Sequence, residues 1–282
     1  MNQESQSDFK DRVLKGVLGR NETYRGLTYS DYLTEWLRFY HSDYAYFRGY
    51  PGEILYLEGN NSYVTDSNTG TRKQSAEFLN NARNSDGTNR GQMIFNDTAI
   101  FVPVMNTFYS VTESYEGNAL QSLADCQYVC RRDANETQSL YCELIPKNGE
   151  IVDLFSQIYY FESSCPNLVV TENNSFRNRI EMPINPGVYD TFIASYAIML
   201  NTSGTSYLQP GDYRLRFGGI GRGYYKTNTV QDFTVRPSPY LYPTGSDSEH
   251  GIAKQTGRLI SKQKVPVFEG PESFTSKSTN KE

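Results

Sequence analysis

Histidine and tryptophan are nearly missing from this chain, with 2 and 1 copies in 282 residues. His41 ends an apolar-patterned helical stretch, where a cation would complement the helix dipole, and His250 lies in a polar tail. Neither is placed as the base of a Ser-His-Asp or Cys-His triad, so nucleophilic hydrolysis is set aside. Positive charge is not in excess either: 27 Lys and Arg stand against 32 Asp and Glu, a net charge of -5. Phosphate neutralisation needs clustered cations, so no nucleic-acid partner is expected. No run approaches the roughly 20 apolar residues that cross a bilayer. The opening MNQESQSDFKDRVLKGVLGR lacks the continuous apolar core of a secretory signal. These absences lead to the expectation of a soluble protein, cytoplasmic or virion-associated, with no membrane partner.

Cysteine is sparse as well. Cys126, Cys130, Cys142 and Cys165 all lie in one middle segment. Without an export signal, reduced thiols are expected rather than disulfides. Cys126 and Cys130 sit four apart and could share a helix face. They do not form a tight Cys-x-x-Cys knuckle, and no second pair or histidine follows at zinc spacing. Asp66 to Gly70 opens like a calcium loop, and residues 84–91 form another oxygen-rich turn, but both lack the closing glutamate and full ligand spacing. No metal and no other cofactor is expected.

What the chain has in quantity is tyrosine, 23 copies within a 14% aromatic content. Tyrosine packs its ring on apolar surface while its hydroxyl stays hydrogen-bonded, which suits sheets and interfaces. Tyr29, Tyr32, Leu33, Trp36, Leu37 and Tyr40 follow the three-four spacing of one helical face. Thr28 precedes them as N-cap, with Asp31 placed as in a capping box. From residue 53 onward the period becomes two, and strands are expected at 53–58, 92–96, 98–104, 140–145, 154–162, 176–182, 192–200, 212–217 and 231–236. In DYRLRF, Tyr213, Leu215 and Phe217 face one side and Asp212, Arg214 and Arg216 the other. Short helices are expected at 74–83 and 117–130. The fold class that follows is mainly β, an antiparallel β-sandwich or jelly roll with an N-terminal helix and short helical insertions. Residues 1–26 read as an N-terminal arm, 27–240 as the helix-decorated β-domain and 241–282 as an extended tail.

The stretch LQPGDYRLRFGGIGRGYY, 208–225, contains five glycines and resembles a phosphate loop only at first sight. The segment after it is rich in β-branched and aromatic residues, so no helix N-terminus follows to meet a phosphate, and no Gly-Lys-Ser/Thr ending exists. Gly211 reads as part of a turn entering a strand. Gly218, Gly219, Gly221 and Gly223 read as the flexible connection leaving it.

LTYSDYLTEWLRFY, TAIFVPVMN, MPINPGVYDTFIASYAIML and LQPGDYRLRFGG together resemble a family of bacterial proteins without assigned activity. Its pattern has a Thr-Tyr-x-x-Trp-type helix, an Ala-Ile-Phe-x-Pro-Val-x-Asn strand and a Pro-Gly-x-x-x-Leu-x-Phe-Gly-Gly strand. The likeness spans about 27–219 and implies no activity. SYAIML replaces the family's Asp-Gly-Tyr-Trp here, and Pro-Gly-Asp replaces its Pro-Gly-His.

Two functions are weighed first. One is a non-enzymatic structural or assembly protein, such as a phage-particle component, that contacts protein partners or its own copies through its β-domain and terminal arms. The other is a carbohydrate-binding module using Tyr44, Tyr46 and Tyr50, or Tyr224 and Tyr225, as a stacking platform. A hydrolase built on Glu35, Glu53, Glu58, Glu162, Glu181 or Asp190 is a third reading, though such residues on strands usually form a solvated face. Six Asn-x-Ser/Thr sequons, at Asn21, Asn60, Asn96, Asn135, Asn173 and Asn201, read as polar loops and not as glycan sites.

Overall fold

Tyrosine-rich helix and alternating strands meet in a layered β-structure, seen in a computed structural model that describes residues 5–41, 53–57, 63–65, 72–74, 92–172, 185–204, 207–222 and 226–238. The chain divides into units Met1–Tyr242 and Pro243–Glu282, and every described residue belongs to the first. In chain order the helices are α1 (Gln6–Lys15), α2 (Tyr29–His41) and α3 (Leu123–Asn135). The strands are β1 (Ile54–Tyr56), β2 (Tyr63–Thr65), β3 (Arg72–Gln74), β4 (Gln92–Phe95), β5 (Ala99–Ser110), β6 (Ser114–Tyr115) and β7 (Asn118–Ala119). They continue as β8 (Ser139–Pro146), β9 (Val152–Asp153), β10 (Tyr159–Val170), β11 (Gly187–Leu200), β12 (Gly211–Ile220) and β13 (Lys226–Arg236). The expected mainly β class is the class observed.

A four-stranded sheet runs β1-β5-β11-β10 and a five-stranded sheet runs β4-β13-β12-β8-β9, with β2-β3 and β6-β7 as separate ribbons. Two outer pairs, β1 with β5 and β13 with β4, are parallel, a departure from the all-antiparallel expectation. The two sheets share one apolar layer. Ile100, Val102, Val104, Ile198 and Leu200 of the first meet Cys142, Leu144, Leu215, Phe217, Phe233 and Val235 of the second.

The first sheet's other face carries α2. Ala99, Phe101, Ile193, Ala197 and Met199 pack there against Tyr29, Tyr32, Leu33, Trp36 and Leu37. Burying each large side chain of that stripe contributes about 1.5–3 kcal/mol. A bulge explains how β5 serves a third neighbour. Met105 pairs with Tyr196 and Pro103 with Ala197, so Val104 is an extra residue and the alternation of faces flips beyond it. Residues Tyr109, Phe192, Ala194 and Tyr196 then pack on α3.

α2 forms where its cap directed. Asp31 accepts from Thr28 N–H at 2.8 Å and Thr28 Oγ1 accepts from Asp31 N–H at 3.3 Å. Its polar tips reach backbone groups of neighbouring segments. Tyr29 donates to Leu18 O at 2.8 Å and accepts from Met199 N–H at 3.0 Å. Trp36 Nε1 donates to Leu57 O at 2.9 Å, Tyr32 to Tyr24 O at 2.7 Å and Tyr40 to Tyr56 O at 2.8 Å. The Tyr29 ring stacks on Phe161 with centroids 4.2 Å apart.

Several sequence expectations need correction. Over its described part, the first segment does not extend as an arm: α1 docks, Val13 and Val17 join the layer between the sheets, and Leu18 joins the α2 side. The expected strand at 154–162 begins instead with a 3-10 turn, Phe155–Gln157, before β10 starts. The helix expected at 117–130 starts later, because Asn118–Ala119 pair as β7 and Ser122 with Asp125 make the capping box. The helix expected at 74–83 and the strand at 176–182 lie outside the described residues, except that Gln74 ends β3.

Gly218 and Gly219 are not a flexible connection. They lie inside β12, opposite Asn228 and Thr227 of β13 and Tyr141 and Leu140 of β8. An added Cβ would sit 2.1 Å from Thr227 O at Gly218 and 2.1 Å from Ser139 O at Gly219. Only glycine allows the three strands to come this close.

His41 does not serve as a cation that complements the helix dipole. It is fully buried, its Nδ1 lies 2.8 Å from Leu37 O, and its ring meets the edge of Phe108 at 5.6 Å. Desolvation lowers its pKa to about 4, with the Leu37 hydrogen bond opposing.

Two outcomes follow. Tyr29→Phe deprives a buried carbonyl and a buried N–H of their shared partner, and urea titration should show a loss of about 1–3 kcal/mol. Because the folded pKa of His41 is depressed, the unfolded chain takes up its proton first. Stability should therefore be intact above about pH 6.5 and decline as pH falls toward about 4, by on the order of 3 kcal/mol. His41→Gln should flatten that part of a pH series of urea midpoints; an unchanged slope would refute the assignment.

Candidate functional site

The densest polar chemistry among the described residues gathers at one end of α3. The β6–β7 hairpin turns through Glu116 and Gly117, both at positive φ (51° and 83°), the requirement of a tight two-residue turn. That turn delivers Glu116 beside α3. The last turn of α3 supplies Arg132 and Asp133, and its C-cap supplies Glu136. Arg222, two residues beyond β12, reaches in from the second sheet.

Arg222 is the hub. Its Nη1 lies 2.9 Å from Asp133 Oδ1 and its Nε 3.2 Å from Glu136 Oε2, while Nη2 pairs with Glu116. Arg132 adds Glu116 at 3.2 Å and Glu136 at 3.8 Å. Tyr115 donates to Asp133 at 2.5 Å and Tyr109 at 3.2 Å. Both guanidinium groups lie over the Tyr115 ring, at 5.2 and 5.7 Å. Desolvation raises the Asp133 pKa, opposed by the Tyr109 hydrogen bond and by the charge of Arg132. Burial and the Asp133 charge push Tyr109 upward.

This arrangement immobilises charge. A retaining or inverting glycosidase needs one protonatable carboxyl and one free carboxylate across the substrate. Here each carboxylate is held by a guanidinium or by tyrosine hydroxyls, so the cluster works as a clamp joining the β6–β7 hairpin, α3 and the segment after β12. Other carboxylates weighed for catalysis are similarly engaged. Arg131 binds Glu162 through two 2.7 Å contacts and Tyr160 donates to it at 2.7 Å, and Arg131 holds the Glu162 pKa low. Glu35 pairs with Arg38 at 3.0 Å, and Asp190 accepts from Asn167 N–H at 3.0 Å. Glu58 and Glu181 lie outside the described residues.

The four cysteines are buried free thiols spread over the three apolar clusters, with Cys126 and Cys130 sharing one. Desolvation raises every one of them, Cys126 to about 11, which suits packing and not nucleophilic attack. Among the described residues no group of three or more His, Cys, Asp or Glu could hold a metal ion. The oxygen-rich stretches 66–70 and 84–91 lie outside the described residues.

The tyrosines expected to bind ligand, Tyr44, Tyr46, Tyr50, Tyr224 and Tyr225, also lie outside the described residues. Two of the sequons prove to be structural. Asn201 Nδ2 donates to Asn96 O and Thr98 O at 2.8 and 2.7 Å and its Oδ1 accepts from Leu208 N–H at 2.7 Å. Asn96 Oδ1 accepts from Ser238 N–H at 2.9 Å. Both asparagines are 3% exposed and tie the chain segments together.

Arg222→Gln removes the guanidinium paired with Asp133 and leaves Glu116 and Glu136 with Arg132 as their remaining partner. The expected result is a loss of about 1–3 kcal/mol in urea unfolding. The loss should shrink in high salt, which screens the leftover repulsion. A neutral effect at low salt would show that the clamp carries no stability. No family model, curated protein or solved structure matches the chain.

Proposed function

We propose that this chain is a structural or assembly protein, as in a phage particle, with its sheet edges as contact surfaces. One observation carries the reading: apart from Leu27 and from Tyr128 of α3, the large exposed apolar side chains among the described residues lie on or beside the outer strands. Val169 of β10 is 57% exposed and pairs across to Val188 of β11, 61% exposed. Met93 lies on β4, and Ile151 and Phe155 flank β9, each more than half exposed. β10, β4 and β9 are end strands of the two sheets, and Val188 lies on β11 directly beside β10. Solvated apolar residues beside strand edges are the features that neighbouring chains cover.

The internal engagement of the side chains that could do chemistry supports the same reading. Tyrosine hydroxyls of α2 are spent on backbone groups, carboxylates on arginines and thiols on packing. No helix among the described residues is long and apolar enough to cross a membrane.

Light scattering on the eluted full chain should show self-association that grows with concentration. Val169→Lys together with Val188→Lys should shift the population toward monomer while leaving the circular dichroism unchanged. A strict monomer at every concentration, unaltered by the double substitution, would overturn the proposal.

A further inference from the structure

The Asn-Gly dipeptide occurs once in the chain, at Asn148-Gly149. It lies in the turn after β8, where residues 147–150 are all exposed. Pro146 is the last residue of β8 paired to β12, and β9 pairs only from Val152. The turn is fixed on its β8 side: Lys147 N–H donates to Asp212 O at 3.0 Å and Lys147 Nζ meets Asp212 Oδ2 at 2.9 Å. Gly149 N–H reaches Pro146 O only at 3.3 Å, a long and easily broken bond. A Cβ on Gly149 would lie 2.6 Å from Pro146 Cγ, so the turn itself demands glycine there. Gly149 is therefore an exposed residue with no side chain of its own, and its N–H is held only by that long bond.

We propose that Asn148 is a self-modifying site at which the Gly149 backbone nitrogen attacks the Asn148 side-chain carbonyl carbon. The new C–N bond closes a succinimide ring and the side-chain amide bond breaks. Ammonia leaves with the proton given up by the Gly149 nitrogen. Water then opens the ring. Addition at the side-chain carbonyl yields aspartate, and addition at the backbone carbonyl yields isoaspartate, with the chain rerouted through the side-chain carbon. No electrons are exchanged with any other reagent, and water is the sole co-reactant. Either product sets a new carboxylate next to the Lys147–Asp212 pair. Isoaspartate also lengthens the backbone of the turn that leads into β9.

The test is incubation of the full chain, native, at mildly alkaline pH and body temperature, followed by digestion under acidic conditions and mass spectrometry. Asn21 and Asn135, both exposed and each followed by glutamate, serve as internal controls. Asn148 should convert to two isomeric products, the isoaspartyl form in excess, at least about tenfold faster than either control, as intramolecular attack on an unhindered neighbour requires. Asn148→Gln should abolish both products. Conversion no faster than at Asn21 and Asn135, or conversion seen only after unfolding in urea, would overturn the proposal.

Discussion

One amphipathic helix organises the molecule. The rings of α2 lie on the first sheet while Tyr29, Tyr32, Trp36 and Tyr40 pass their polar tips to backbone groups of that sheet's end at β1 and β11 and of the segment between α1 and α2. Burial of the rings is non-directional and would permit sliding. The polar tips remove that freedom, because a shift of the helix would leave a buried carbonyl or N–H unpaired at a cost comparable to a lost hydrogen bond. Tyr29 is the firmest of these ties, since one hydroxyl joins Leu18 just after α1 to Met199 near the end of β11.

The rest of the fold builds outward from that sheet. Its inner face is shared between the second sheet and α3, and the division falls where the Val104 bulge reverses the alternation of β5. Without the extra residue, Tyr109 would point toward α2 and the Asp133 clamp would lose a donor. The clamp in turn secures the exit from β12, so packing at one face and charge at the far end of α3 belong to one continuous arrangement.

Local signals were readable where local physics decides. Thr28 and Asp31 cap α2 as their spacing implies, and its apolar stripe is the buried one. In β12, Tyr213, Leu215 and Phe217 are buried and Asp212, Arg214 and Arg216 exposed, as alternation requires. Misreadings arose where distant residues decide. Glycine looks the same in a loop and in a crowded strand, and only the approach of Thr227 and Ser139 separates the two at Gly218 and Gly219. His41 at a helix end reads as a cation complementing the dipole until Phe108 packs on it from β5. The Arg222 cluster joins residues more than a hundred positions apart, with no local pattern to announce it. Glu116-Gly117, a tight-turn pair ahead of an acidic and basic helix end, was its one visible hint.

Tied by these polar tips, α2 and the first sheet should open as a single cooperative unit. Native-state amide hydrogen exchange addresses it directly, because segments that open separately show their own free energies. Amides in the middle of α2, around Leu33 to Leu37, should exchange with the same opening free energy and denaturant dependence as those of β5 and β11 near Phe101 and Met199. Exchange of α2 at a distinctly lower free energy, with the sheet still protected, would show that the helix merely decorates a fold that stands without it.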